Sequence, residues 1–64
     1  MIHNRLTILG QAAVLIIQTM NRKHNTQVKL STAMTLLRDS GEFYNPELRS
    51  AYQIVLDSGV LTEA

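Results

Sequence analysis

Polar and apolar positions divide the chain into one long apolar stretch and two shorter amphipathic ones. The long stretch runs from Leu6 to Met20, LTILGQAAVLIIQTM, and contains no charged side chain. Its apolar residues recur at spacings of three and four, which is typical of one face of an α-helix. The first line consists of Leu6, Leu9, Ala13, Ile16 and Met20, and a second line of Ile8, Ala12 and Leu15 lies beside it. We predict a first helix over about residues 5–21 that is apolar over most of its circumference.

A second, shorter helix is predicted to end at Ser40, before a glycine. Its start is open between residue 27 and residue 31. Val28 and Leu30 alternate with polar residues, and this pattern is equally typical of a half-buried strand over residues 26–30.

A third helix is predicted over residues 46–58. Asn45-Pro46 is the clearest start signal in the chain, because asparagine caps a helix N-terminus and proline is favoured at the first helical position. Gly59 is the expected stop. The sequence therefore predicts an all-α protein, a single domain of three helices in a bundle-like or orthogonal arrangement.

The first helix is also expected to be an association surface. A chain of 64 residues without cysteine is stabilised neither by a large core nor by disulfides. Burial of each large aliphatic side chain is worth about 1.5–3 kcal/mol, and two short helices can cover only one side of the first. We expect a helical homodimer, or a higher oligomer, with an interface of Leu6, Leu9, Ala13, Ile16, Ile17 and Met20. The sequence leaves open whether this interface is centred on Leu9, Ala13, Ile16 and Met20 or on Gly10, Val14 and Ile17.

A membrane segment or an export leader is the alternative interpretation of the same stretch. It is shorter than the ~20 apolar residues that a bilayer span needs, and it includes Gln11 and Gln18. No small-x-small cleavage site follows it. We therefore expect a buried helix in a cytoplasmic protein, with no membrane partner.

Side chains suited to catalysis or metal binding form no recognisable pattern. His3 and His24 have no histidine or carboxylate three or four positions away. The acids lie at predicted helix ends, in a connector and in the tail: Asp39, Glu42, Glu47, Asp57 and Glu63. Because no glycine-rich phosphate loop is present either, we expect a non-enzymatic protein with no metal, no cofactor and no small-molecule substrate.

The polar segment after the first helix is the strongest candidate for contact with an anion. Arg22, Lys23 and His24 are consecutive, and Lys29 follows closely. A net charge of +1 neither supports nor excludes nucleic acid as a partner. The alternative interpretation is that these cations stabilise the C-terminal end of the helix dipole.

The segment Thr26-Gln27-Val28-Lys29-Leu30, followed by two short helices, resembles the ribbon-helix-helix family of DNA-binding proteins. The resemblance covers residues 26–58. It implies a dimer with paired strands, in which Gln27 and Lys29 read the major groove and the helix N-terminus at Asn45 holds a phosphate.

Phe43 and Tyr44 lie in the connector before the third helix. They either plug the end of the bundle or belong to a partner-binding surface, because exposed aromatic residues are common binding anchors. Two function classes follow. The first is a small interaction protein, such as an adaptor, inhibitor or regulatory subunit, that binds itself and another protein. The second is a dimeric DNA-binding transcriptional regulator that uses residues 22–31.

Overall fold

Three α-helices and one 3₁₀ turn follow one another in residues 5–61, the part of the chain that the computed structural model describes, apart from the side chains of Arg5, Leu6 and Glu42. α1 spans Arg5–His24, α2 Leu30–Ser40 and α3 Pro46–Ser58, and the 3₁₀ turn Glu42–Tyr44 joins α2 to α3. No strand occurs in this part of the chain, so the prediction of an all-helical protein with three helices is confirmed for it. None of these helices combines the length and the apolar character that crossing a membrane requires.

α1 extends to His24, beyond the end near residue 21 that the polar run indicated. Asn25 takes a left-handed conformation with a φ of 53°, and the N–H of Thr26 donates to the carbonyl oxygen of Asn21 at 3.0 Å. This hydrogen bond is that of a Schellman motif, which ends a helix just before the left-handed residue. Polarity alone did not end the helix earlier because arginine and lysine have good helix propensity.

The connector from α1 to α2 is held in place by the side chain of Asn21. Its Oδ1 accepts a hydrogen bond from the N–H of Val28 at 2.9 Å, and Val28 packs against the core. Residues 27–29 form neither helix nor strand, so the strand alternative is not found in the described structure. α2 begins at Leu30, between the two predicted starts, and Lys29 occupies its N-cap position.

The predicted cap of α3 is formed. The Oδ1 of Asn45 accepts hydrogen bonds from the N–H groups of Glu47 at 3.0 Å and Leu48 at 3.4 Å. Gly59 follows the helix in the left-handed conformation, with a φ of 75°. α3 therefore has strong local signals at both ends, whereas the N-terminus of α2 has no side-chain cap.

One core lies between the three helices, because α1 packs against both α2 and α3. Ala12, Ile16 and Met20, which are four residues apart, form the buried side of α1. The other core residues are Ala33, Met34 and Leu37 from α2 and Leu48, Ala51 and Val55 from α3. Among the described residues, three of the nine that form the core are alanines, so this core is small, and domains with small cores are only marginally stable alone.

Candidate interaction surfaces

The residues of α1 that were predicted to form an oligomer interface separate into buried and partly accessible positions. Ile16 and Met20 are fully buried in the core of the single chain. They cannot contact a second copy while this fold holds, so the prediction is wrong for these two residues. Leu9 and Ile17 are half-buried and pack against the same core, and Ala13 is half-buried. The side chain of Leu6 lies outside the described part of the structure.

The opposite side of α1, which we call the outer face, carries no charged side chain. It comprises Thr7, Ile8, Gly10, Gln11, Val14, Leu15 and Gln18. Val14 is 50% exposed and Ile8 is 41% exposed. Of the two alternatives that the sequence left open, the exposed one is the surface around Gly10 and Val14, although Ile17 itself packs against the core.

A groove between the outer face and α3 enlarges this apolar surface. It is open, about 400 Å³ in volume, and its apolar walls include Ile8 and Leu15 from α1 and Pro46, Ala51 and Ile54 from α3. The second apolar line of the first helix, identified in the sequence, already contained Ile8 and Leu15. The contribution of α3 depends on how the helices pack, and no local sequence pattern predicts it.

Gly10 is exposed on the outer face, on the same side of α1 as Val14 and away from the groove. Outside the backbone of α1 itself, a Cβ atom added to it would meet no described atom within 4 Å, so no described neighbour requires glycine there. Glycine inside a helix costs about 1 kcal/mol relative to alanine. The described part of the chain therefore offers no packing compensation for Gly10.

A second surface, which we call the basic end, is formed by the last turn of α1 and the connector. Its members are the residues that the sequence singled out as anion contacts: Arg22, Lys23, His24, Gln27 and Lys29. All five are exposed. Val28, between Gln27 and Lys29, is half-buried and packs against the core, so one polar side chain lies on each side of it.

Charge is divided unevenly along the chain, a feature that net charge hides. The first 38 residues carry five lysines and arginines and no acid, whereas the last 26 carry all five acids and one arginine, Arg49. The two parts have formal charges of +5 and −4, which give the overall +1. No carboxylate therefore neutralises the basic end from its own helix or connector.

The features implied by the ribbon-helix-helix resemblance are not assembled in the single chain. The expected strand is absent from residues 26–30, and the N–H of Val28 is already bonded to Asn21. At the start of α3, the side chain of Asn45 occupies two of the N–H groups that would hold a phosphate. The helix N-terminus at Asn45 is thus a capped end in this structure, with Glu47 in its first turn.

The two connector aromatics occupy different environments. Phe43 is half-buried and packs edge-to-face on Tyr52, with ring centroids 5.0 Å apart and an interplanar angle of 78°. Tyr44 is 78% exposed. Phe43 thus closes the end of the helical core, and Tyr44 is the one of the pair that a partner could reach.

Titratable groups within residues 5–61 are dispersed over the surface. No group of three or more histidine, cysteine or acidic side chains lies close enough to hold a metal ion in this range. Asp39 pairs with Arg38 at 3.2 Å, and Asp57 accepts a hydrogen bond from Gln53 at 2.8 Å. His3, Glu63 and the side chain of Glu42 lie outside the described part.

Comparison of the chain with protein-family models, with curated proteins and with solved structures gives no match. The proposals below therefore depend on the two surfaces alone.

Proposed function

We propose that this protein is a small helical interaction protein that forms a homodimer through the outer face of α1 and acts by binding another macromolecule. The observation that carries the proposal is the exposure of two aliphatic side chains of α1: Ile8, which lines the α1–α3 groove, and Val14, which lies with Gly10 on the outer face. Burial of such side chains favours association by roughly 25 cal/mol per Å² of apolar area removed from water.

A second copy of this chain suits the surface because the outer face is uncharged. A symmetric dimer brings the same patch of each copy together, so any charged residue near its centre would face its own like charge. The outer face avoids this repulsion, since its polar members are Thr7, Gln11 and Gln18, and the charged residue nearby, Glu47, lines the α3 side of the groove. Amide side chains can donate and accept hydrogen bonds across such an interface.

Gly10 supports a close approach of two α1 helices. Small residues let helix backbones approach closely, and the approach offsets the intrinsic helix cost of glycine. The α1–α3 groove, which Ile8 and Leu15 line from α1, would receive an aliphatic side chain of the second copy, with Val14 of that copy as the candidate. The small core also favours association, because a dimer buries apolar area that a short chain cannot bury alone.

The experiment is to measure the molar mass of the wild-type chain and of Val14→Glu by light scattering over a range of micromolar concentrations. We expect a dimer for the wild type and a folded monomer for Val14→Glu. Val60→Glu is the matched control, because Val60 is 54% exposed and lies in the turn after α3, away from the outer face. A monomeric wild type, or equal dissociation by both variants, would refute the proposal.

A further inference from the structure

We propose that the basic end of α1 binds the phosphate backbone of duplex nucleic acid. The helix dipole explains only part of this surface. Arg22, Lys23 and His24 lie in the last turn of α1, where cations are favourable. Lys29 occupies the N-cap position of α2, at the positive end of that helix, where a cation is unfavourable and a capping side chain would be preferred.

The uneven distribution of charge extends the argument beyond these four residues. No acid occurs in the first 38 residues, so the basic end lies in a part of the chain with a formal charge of +5. A polyanion can approach this surface without meeting a carboxylate of α1, of the connector or of the first nine residues of α2. Like-sign surfaces of this kind attract ligands of opposite charge over distances near the Debye length.

The chemistry of the neighbouring residues selects duplex nucleic acid among polyanions. Asn25, Thr26 and Gln27 are exposed donors beside the cations, and such side chains commonly contact phosphate and sugar. Val28, the only apolar residue of the connector, packs inward, so no exposed apolar anchor exists there for a protein partner or a membrane. Residues 21–29 contain no phenylalanine, tyrosine or tryptophan, so His24 is the one ring there on which a base of a single strand could stack.

The proposed dimer predicts a distance between its two basic ends, and this prediction rests on the proposed function. Parallel α1 helices would place two basic ends side by side, whereas antiparallel helices separate them. Along the helix axis, the midpoint of the outer face lies at the level of residue 12. The basic end therefore lies about 16 Å farther along α1, at 1.5 Å per residue. An antiparallel pair therefore sets its basic ends about 30 Å apart, close to the ~34 Å that separates major grooves on one side of a duplex.

The test is fluorescence anisotropy with a labelled duplex DNA of about 20 base pairs, at salt concentrations from about 50 to about 200 mM. Three phosphate contacts from one basic end predict a loss of affinity of roughly fortyfold over this range, and six contacts from both basic ends of a dimer predict a loss of about 10³-fold. Lys29→Glu is expected to weaken binding at least about tenfold at the lowest salt and to reduce the salt dependence by about one contact. Arg22→Glu should act in the same way.

Arg49→Glu is the matched control, because it changes the net charge equally at the exposed arginine of α3. It should leave binding within about twofold, since charges beyond a Debye length are largely screened. Circular dichroism should show all three variants folded, as an acid at Lys29 suits the N-terminus of α2. Absence of wild-type binding at low salt, or an equal loss in Arg49→Glu, would overturn the proposal.

Val14→Glu, with Val60→Glu beside it, separates the two proposals. If the basic ends act as a spaced pair, Val14→Glu retains weak binding to a duplex of about 10 base pairs and loses the tighter binding to the longer one. If wild-type protein is monomeric but binds duplex DNA through Lys29, the dimer proposal fails and the basic end stands. If the dimer forms and no duplex is bound, the basic-end proposal fails and the dimer proposal stands.

Discussion

The inner and outer sides of α1 contain similar residue types, but the inner side stabilises the fold of the single chain and the outer side does not. On the inner side, Ala12, Ile16 and Met20 repeat every four residues and are buried against α2 and α3. On the outer side, Gly10 and Val14 are exposed, and Gly10 weakens the helix without any neighbour that requires it. The inner side thus accounts for the packing of the single chain, whereas no described residue of that chain accounts for glycine at position 10 on the outer side.

The largest expected effect comes from truncating the inner side. Ile16→Ala should lower the free energy of unfolding by about 2–5 kcal/mol, because it removes a fully buried side chain and leaves a cavity. In a domain with so small a core, this loss is a large fraction of the total stability. Urea denaturation followed by circular dichroism measures it.

Val14→Ala is the control for Ile16→Ala, because it shortens an aliphatic side chain on the exposed side of the same helix. Its effect on the free energy of unfolding should stay within about 0.5 kcal/mol at concentrations where the chain is monomeric. Equal destabilisation by the two substitutions would mean that the sides of α1 do not differ as described.

Much of the architecture could be predicted from local signals, and the failures have a common cause. Asn45-Pro46 and the glycines after α2 and α3 fix backbone conformations by themselves, so these helix ends could be read from single residues. The end of α1 depended on Asn25 adopting a left-handed conformation, which asparagine does only in some contexts.

The sides of α1 could not be assigned from sequence because both are apolar. Ile16 and Val14 are equally suitable for a core or an interface until the positions of α2 and α3 are known. The basic end, in contrast, was found from sequence, because a run of cations needs no tertiary information. The adverse position of Lys29 at an N-cap emerged only with the start of α2.

Gly10→Ala tests the difference between the two sides of α1, because we expect it to stabilise the monomer and to weaken the dimer. In the monomer the new Cβ meets no neighbour, so the free energy of unfolding should rise by about 1 kcal/mol. In a dimer with closely packed α1 helices the same methyl group separates the backbones and should weaken dimerisation about tenfold. Denaturation at low concentration and sedimentation at high concentration measure the two effects. A stabilised monomer with undiminished dimerisation would place Gly10 outside any close helix contact.

Lys29→Ser extends the comparison to the basic end and has the smallest expected effect. Lys29 has the extended backbone of an N-cap residue, with φ of −81° and ψ of 170°, but it supplies no capping hydrogen bond. A serine there can accept from a free N–H of the first turn, so the urea midpoint should rise by the equivalent of about 0.5–1 kcal/mol. Asn45→Ala should lower it by about 1 kcal/mol, because that substitution removes the cap of α3. If Lys29→Ser left stability unchanged or reduced it, the side chain of Lys29 would have a structural role in the chain. A gain in stability together with weaker binding of duplex DNA would instead show that Lys29, like Gly10, is retained at the expense of its own helix.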